Sequence, residues 1–261
     1  VSAPLVGTAF LFNFPCKTEN MNPAAFYHNP SIEIHGLRVD EPITMLTDVL
    51  VTVICWVAYF RLGQVKHPLP EGKKTIHKLL RGYFLTMGFA TLAGGLVGHS
   101  FNYALGIHWK IPGWYVSMFS VMFLERAAIF HAFPLIRPSL AKFFSVVNIL
   151  ELLFFLVISV VTMNFLFVMA HAAYGILIVT GGFHAFVFMK TRHPGSKLFL
   201  WGVAMASFGA IIFVGVWAPH VWFNHMDVAH VTMGIGCWFF YLGGKKLLLP
   251  DGEVQAPSSS S

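Results

Sequence analysis

Charge is what this sequence has least of. Only 11% of its 261 residues are Asp, Glu, Lys or Arg, against about 25% in a soluble domain. That scarcity argues against an ordinary water-soluble globule. Cysteine is scarce too. Cys16, Cys55 and Cys237 are the three present, with no Cys-x-x-Cys or haem-attachment spacing, which excludes a disulfide framework and a cysteine metal knuckle. Cys55 and Cys237 lie inside apolar runs, so no disulfide is expected. The two-residue alternation of transmembrane barrel strands is missing. There is no internal repeat, and the loops are too short to hold a soluble domain. The net charge of +6 is spread over those loops, so nucleic acid is not expected as a partner.

Apolar residues are abundant, at 56% of the chain, and 16% of residues are aromatic. They fall into seven runs, at 43–62, 83–106, 114–135, 144–162, 165–188, 198–218 and 229–248. Each approaches the roughly 20 residues needed to cross a bilayer, and lipid leaves helices as the only open-ended solution. The expectation is an all-α, multi-pass integral membrane protein of seven transmembrane helices. Residues 1–42 form an extracytoplasmic segment, 43–248 the helical domain, and 249–261 a disordered cytoplasmic tail ending "VQAPSSSS". The early run "LVGTAFLFNF" has no basic flank and is too short for a span, unlike a secretory signal.

Basic residues set the orientation. The loops 61–81, 136–142 and 190–197 and the tail carry 13 Lys and Arg. The opposite side carries three, Lys17, Arg38 and Lys110, and Arg126 lies inside a span. By the positive-inside rule the N-terminus is outside and the C-terminus cytoplasmic.

This orientation brings the intramembrane polar residues, costly and functional by default, to a common depth. Glu41 and Asp48 of "EPITMLTD", His99 and Asn102 near the end of the second run, His171, and the cluster in "HVWFNHMDVAH" all fall within roughly 15 Å of the outer surface at 1.5 Å per residue. Thr91, Gly95, His99 and Asn102 share a helical face. Asp227 is expected to cap the last helix, leaving His225 in the preceding turn, able to bend back toward His230. His99, His225 and His230 then form a candidate metal site, since three imidazoles plus water suit catalytic zinc. Asp48 and Asp227 are the candidate catalytic carboxylates, orienting water or an imidazole. Taken singly, His131, His171 and His184 read as hydrogen-bonding helix contacts. In the middle of the membrane an Arg126–Glu151 ion pair is expected, beside Glu125.

At these residues the chain resembles the CREST superfamily, which includes alkaline ceramidases, adiponectin-receptor-like proteins and uncharacterised bacterial membrane proteins. The likeness rests on "EPITMLTD", "GGLVGHS" and "FNHMDVAH", and the first and last look most like the bacterial members. The resemblance implies zinc held by three histidines, with His99 as the first and His230 as the last, and the same outside-to-inside topology as alkaline ceramidases. Three positions depart from the family pattern. A serine four residues before the first histidine is replaced by Gly95. The residue four before His230 is Met226, with His225 one position off. The third span has Glu125 where the family has an aspartate nearby.

The expected function is zinc-dependent hydrolysis of an amide or ester in a membrane lipid that enters sideways between helices. Two other readings stand beside it. One is a non-catalytic accessory subunit of a larger membrane complex, or a receptor-like lipid binder, for which the aromatic content suits packing against lipid or other subunits. The other is a haem protein, with His171 and His184 thirteen residues apart on one span and His99 and His131 as second axial ligands.

Overall fold

The computed structural model describes residues 30–65 and 68–249. The early apolar run and all of the expected disordered tail except Leu249 lie outside the described residues.

The chain enters through a small antiparallel hairpin, β1 (Ser31–Ile34) and β2 (Leu37–Asp40), with Ser31 opposite Asp40. Its two-residue turn, His35-Gly36, has φ of 52° and 80°. Positive φ at both positions matches the twist of the strands it joins. This hairpin is the one addition to an otherwise all-helical architecture among the described residues. It ends at Glu41, which also has positive φ, at 46°, and caps helix α1 (Pro42–Gly63). Pro42 suits the first helical turn, where no backbone N–H is needed.

Next comes α2 (Glu71–Ala93), which runs on as a π-helical stretch, Gly94–Ser100. A short α3 (Asn102–Leu105) and a 3-10 turn lead to α4 (Ile111–Ala132), followed by α5 (Pro138–Thr162). Then α6 (Leu166–Ala173), a second π-helical stretch (Tyr174–Gly181) and α7 (Gly182–Thr191) form one continuous rod. The last two helices are α8 (Pro194–Gly215) and α9 (His225–Leu248).

Six of these rods are long and apolar enough to cross a membrane: Pro42–Gly63, Glu71–Ser100, Ile107–Leu135, Pro138–Thr162, Leu166–Thr191 and Pro194–Gly215. The protein therefore has the design of a multi-pass helical membrane protein. The 24-residue α9 carries Asp227, two histidines, Lys245 and Lys246, and is not among the six. The second rod starts at Glu71, well before the expected 83, because its basic first turns continue the backbone ladder beyond the apolar stretch.

α1 packs against α2 and α9, α2 against α4, and α4 against α5 and the α6–α7 rod. The main core joins Val51, Cys55 and Leu62 of α1 to Leu80 and Phe84 of α2 and to Phe240 of α9. The outward faces are apolar instead of polar. On α5, for example, Leu150, Phe154, Val157 and Val161 are exposed, as a helix facing lipid requires.

α8 and α9 meet most closely. A Cβ on Gly202 would sit 3.0 Å from the Gly236 carbonyl, and one on Gly236 would sit 3.0 Å from the Gly202 carbonyl. Small residues allow this approach, and dispersion and packing then hold the pair where lipid offers no hydrophobic drive. The contact fixes the position of α9, and with it His230.

Candidate metal centre

Three helix ends meet at one end of the bundle: the start of α1, the π-helical end of the second rod and the start of α9. Each brings one side chain to a common point. Asp48 comes from the second turn of α1, His99 from the π-helical stretch and His230 from the second turn of α9. One ligand atom from each lies within 4.8 Å of the other two. These three residues could hold a metal ion.

The local sequence explains the convergence. A Cβ at Gly95 would lie 3.0 Å from Asp48 Cβ and 3.2 Å from the Met45 carbonyl oxygen. The glycine at the position where the resembled family has serine thus makes room for Asp48. Thr91, one turn earlier, meets Thr52 of α1 through their hydroxyls at 2.9 Å, so Thr91, Gly95 and His99 do share a face, and it is the face toward α1. Asn102 does not share it, because the chain breaks at Phe101 and starts a new short helix.

The hydrogen bonds around the imidazoles orient them. Glu41 Oε2 accepts from His99 Nδ1, and His99 Nε2 lies 3.8 Å from Asp48 Oδ2. His230 Nδ1 lies 3.1 Å from the Thr47 hydroxyl. The tautomer that suits a metal ligand is the one in which this hydroxyl gives its own hydrogen to the Thr44 carbonyl at 2.9 Å and accepts from His230 Nδ1–H. His230 Nε2 is then a lone pair 3.5 Å from Asp48 Oδ1. A metal-ligating histidine typically has its other ring nitrogen held in this way. Asp48 is buried, and its Oδ2 has no hydrogen-bond partner among the described residues. A buried, unsatisfied carboxylate oxygen is expensive, and a cation between the three groups would satisfy it. The two histidine side chains keep about a fifth of their surface exposed, at 21% and 18%, against 5% for Asp48. The centre is therefore closed toward the bundle and open at its end.

The expected site is corrected in two respects. His225 is not part of the cluster. Asn224, not Asp227, caps α9: its side chain accepts from Met226 N at 2.8 Å, and Asp227 Oδ2 accepts from Asn224 N at 2.6 Å, a reciprocal capping box. The helix thus begins at His225, and five residues of continuous helix separate it from His230 by about 140° around the axis. The His225 ring faces Phe213 instead, 5.5 Å away. Asp48, not His225, is the third member of the group that could hold an ion. Asp227 lies behind the cluster, against Thr47, and does not reach the imidazoles.

Thr47 is the candidate site residue that the sequence does not single out, and Glu41 is placed by the sequence at the common depth without a role. Both are in "EPITMLTD". The left-handed conformation of Glu41, rare for a residue with a side chain, turns its carboxylate back toward His99.

A second polar group lies among α4, α5 and α6. The expected Arg126–Glu151 pair is not formed. Arg126 Nη1 donates to the Ser145 carbonyl at 3.2 Å and to Asn148 Oδ1 at 3.4 Å, while Glu151 Oε1 is 2.7 Å from His171 Nδ1. Arg126 points toward the start of α5, away from Glu151. Of the histidines expected as axial haem ligands, His171 has Nε2 3.0 Å from the Met118 carbonyl, and His184 stacks on Phe199 with centroids 4.0 Å apart, its Nε2 without a hydrogen-bond partner among the described residues.

No curated protein and no solved structure matches the chain. The match is to a family model spanning residues 43–249, which is the helical domain with all of its metal-ligand candidates and without Glu41; the chain belongs to this family, DUF6962, a family of unknown function.

Proposed function

We propose that the protein is a metal-dependent hydrolase of membrane lipids, with Asp48, His99 and His230 holding a zinc ion, and that its family is a remote branch of the CREST-like proteins. In this reading α9 is a seventh span, the N-terminus is outside and the C-terminus cytoplasmic. The observation that carries it is the convergence of two imidazole Nε2 atoms on a buried carboxylate, each imidazole having a hydrogen-bond partner at Nδ1. Two histidines and a carboxylate are an established set for catalytic zinc, which keeps a further position open. Bound zinc supplies Lewis acidity and lowers the pKa of water toward neutrality.

The remaining roles belong to the chain. Glu41 and Thr47 hold the rings. Asp227 caps α9 and backs Thr47, as a positioning residue. In this reading the partly exposed His99 and His230 would lie at the level of the ester or amide bond of a lipid. The acyl chains would then extend along the apolar outer faces of the helices.

Reconstituted protein should release fatty acid from vesicles containing either a ceramide or an ester phospholipid when supplied with zinc. Asp48→Asn and His99→Ala should abolish release, and His225→Ala should retain it. If zinc-loaded protein cleaves neither lipid class, the hydrolase reading fails. A metal-stabilised accessory subunit or lipid binder would then take its place, and stoichiometric copurifying membrane subunits would identify it.

A further inference from the structure

The Glu125, Glu151 and His171 group plays no part in the centre described above. Its three ligand atoms, one from each residue, also lie within 4.8 Å of one another. Glu125 and His171 are fully buried, and the Glu151 side chain is 10% exposed. Two carboxylates in such surroundings need compensation. Each nevertheless keeps one oxygen, Glu125 Oε1 and Glu151 Oε2, without a hydrogen-bond partner among the described residues.

The other contacts orient these groups. Asn148 Nδ2 donates to Glu125 Oε2 at 2.6 Å, which leaves Oε1 as the oxygen available for a ligand. The Met118 carbonyl can only accept, so His171 Nε2 carries its hydrogen. His171 Nδ1 is thereby the nitrogen that meets Glu151 Oε1 at 2.7 Å, and the contact holds one proton between them. An imidazole that donates to a backbone carbonyl from one nitrogen and offers the other beside carboxylates has the arrangement of a metal ligand. Gly175 preserves the space, since a Cβ there would come within 2.2 Å of Glu125 Oε1.

We propose that Glu125, Glu151 and His171 form a second metal site inside the bundle, one that takes a divalent first-row transition ion such as Zn2+. A mixed imidazole and carboxylate set suits such ions better than Ca2+ or Mg2+, which prefer oxygen alone. One divalent charge balances the two carboxylates, and binding displaces the proton held between His171 and Glu151.

The test uses the full-length His99→Ala/His230→Ala variant in detergent, in which the first centre cannot form. Equilibrium dialysis against ZnCl2 should find about one zinc per chain, with protons released on binding. Adding Glu125→Gln or Glu151→Gln should weaken zinc binding at least tenfold. Should the glutamine variants not fold, the double-alanine protein decides: zinc should raise its Tm, because a ligand of the folded state stabilises it. The proposal is overturned if that protein binds no zinc and its Tm ignores zinc, which would make the group a proton-binding cluster. It is also overturned if zinc binds and the glutamine variants retain it.

Discussion

Asp48 concentrates the physical tension of the protein. Its carboxylate is buried with one oxygen unpartnered among the described residues, so its worth to the fold depends on what lies between it and the two imidazoles. With zinc removed by a chelator, Asp48→Asn is expected to be at least as stable as wild type, because it deletes a buried charge. With zinc in thousandfold excess over Kd, wild type gains about 4 kcal/mol from binding, and the order reverses. Thermal melts of both proteins in both conditions read the crossing; parallel shifts would show that Asp48 is not a ligand. Glu41 is tested separately. Glu41→Gln keeps the size and the backbone but weakens the acceptor behind His99, and a tenfold to hundredfold loss of zinc affinity is expected. An unchanged Kd would remove Glu41 from the site. At this scale much was legible. Asp48, His99 and His230 could be picked out because they are costly groups at one depth. Glu41 could not be assigned a role, since its left-handed backbone is set by the hairpin before it and the helix after it.

The elements explain why one histidine was misassigned. "FNHMD" contains two good capping residues three apart. Choosing Asp227 as the cap leaves His225 free to bend, whereas the Asn224–Asp227 capping box locks it onto the helix and away from His230. The reciprocal pattern was present in the sequence, and its reading needed both partners at once. The α8–α9 contact was less legible. Gly195, Gly202 and Gly209 recur every seven residues, but which helix they face is a tertiary fact. Gly202→Leu is expected to cost about 3 kcal/mol by overpacking, because its Cβ already meets the Phe240 ring at 2.4 Å and the Gly236 carbonyl at 3.0 Å. Gly182→Leu is the control. A Cβ there meets nothing within 4 Å, and its effect should stay within about 0.5 kcal/mol. Equal losses in denaturation experiments would mean that α8 and α9 are not held by this seam.

For the whole molecule, composition alone indicated helices crossing a membrane, and the six long apolar rods agree with it. Helix order around the bundle was not legible, because spans of similar greasiness carry no label of their neighbours. That order decides which polar groups meet: it brought Glu151 of α5 to His171 of the next rod, while Arg126 met α5 earlier along the helix, at Ser145 and Asn148. Topology is the molecular-scale prediction. A single cysteine at Trp109, in a background without Cys16, Cys55 and Cys237, should react with an impermeant thiol reagent from outside, and one at Lys190 should not. The reverse pattern would move the centre to the cytoplasmic face.

The central claim is that Asp48, His99 and His230 bind one metal ion without His225. Zinc stoichiometry in the Glu125→Gln/Glu151→Gln background reads that centre alone. Purified protein of this background is expected to carry about one zinc per chain, to lose it on adding His99→Ala, His230→Ala or Asp48→Asn, and to keep it on adding His225→Ala. An absence of zinc in the parent protein, or its loss with His225→Ala, would contradict the account.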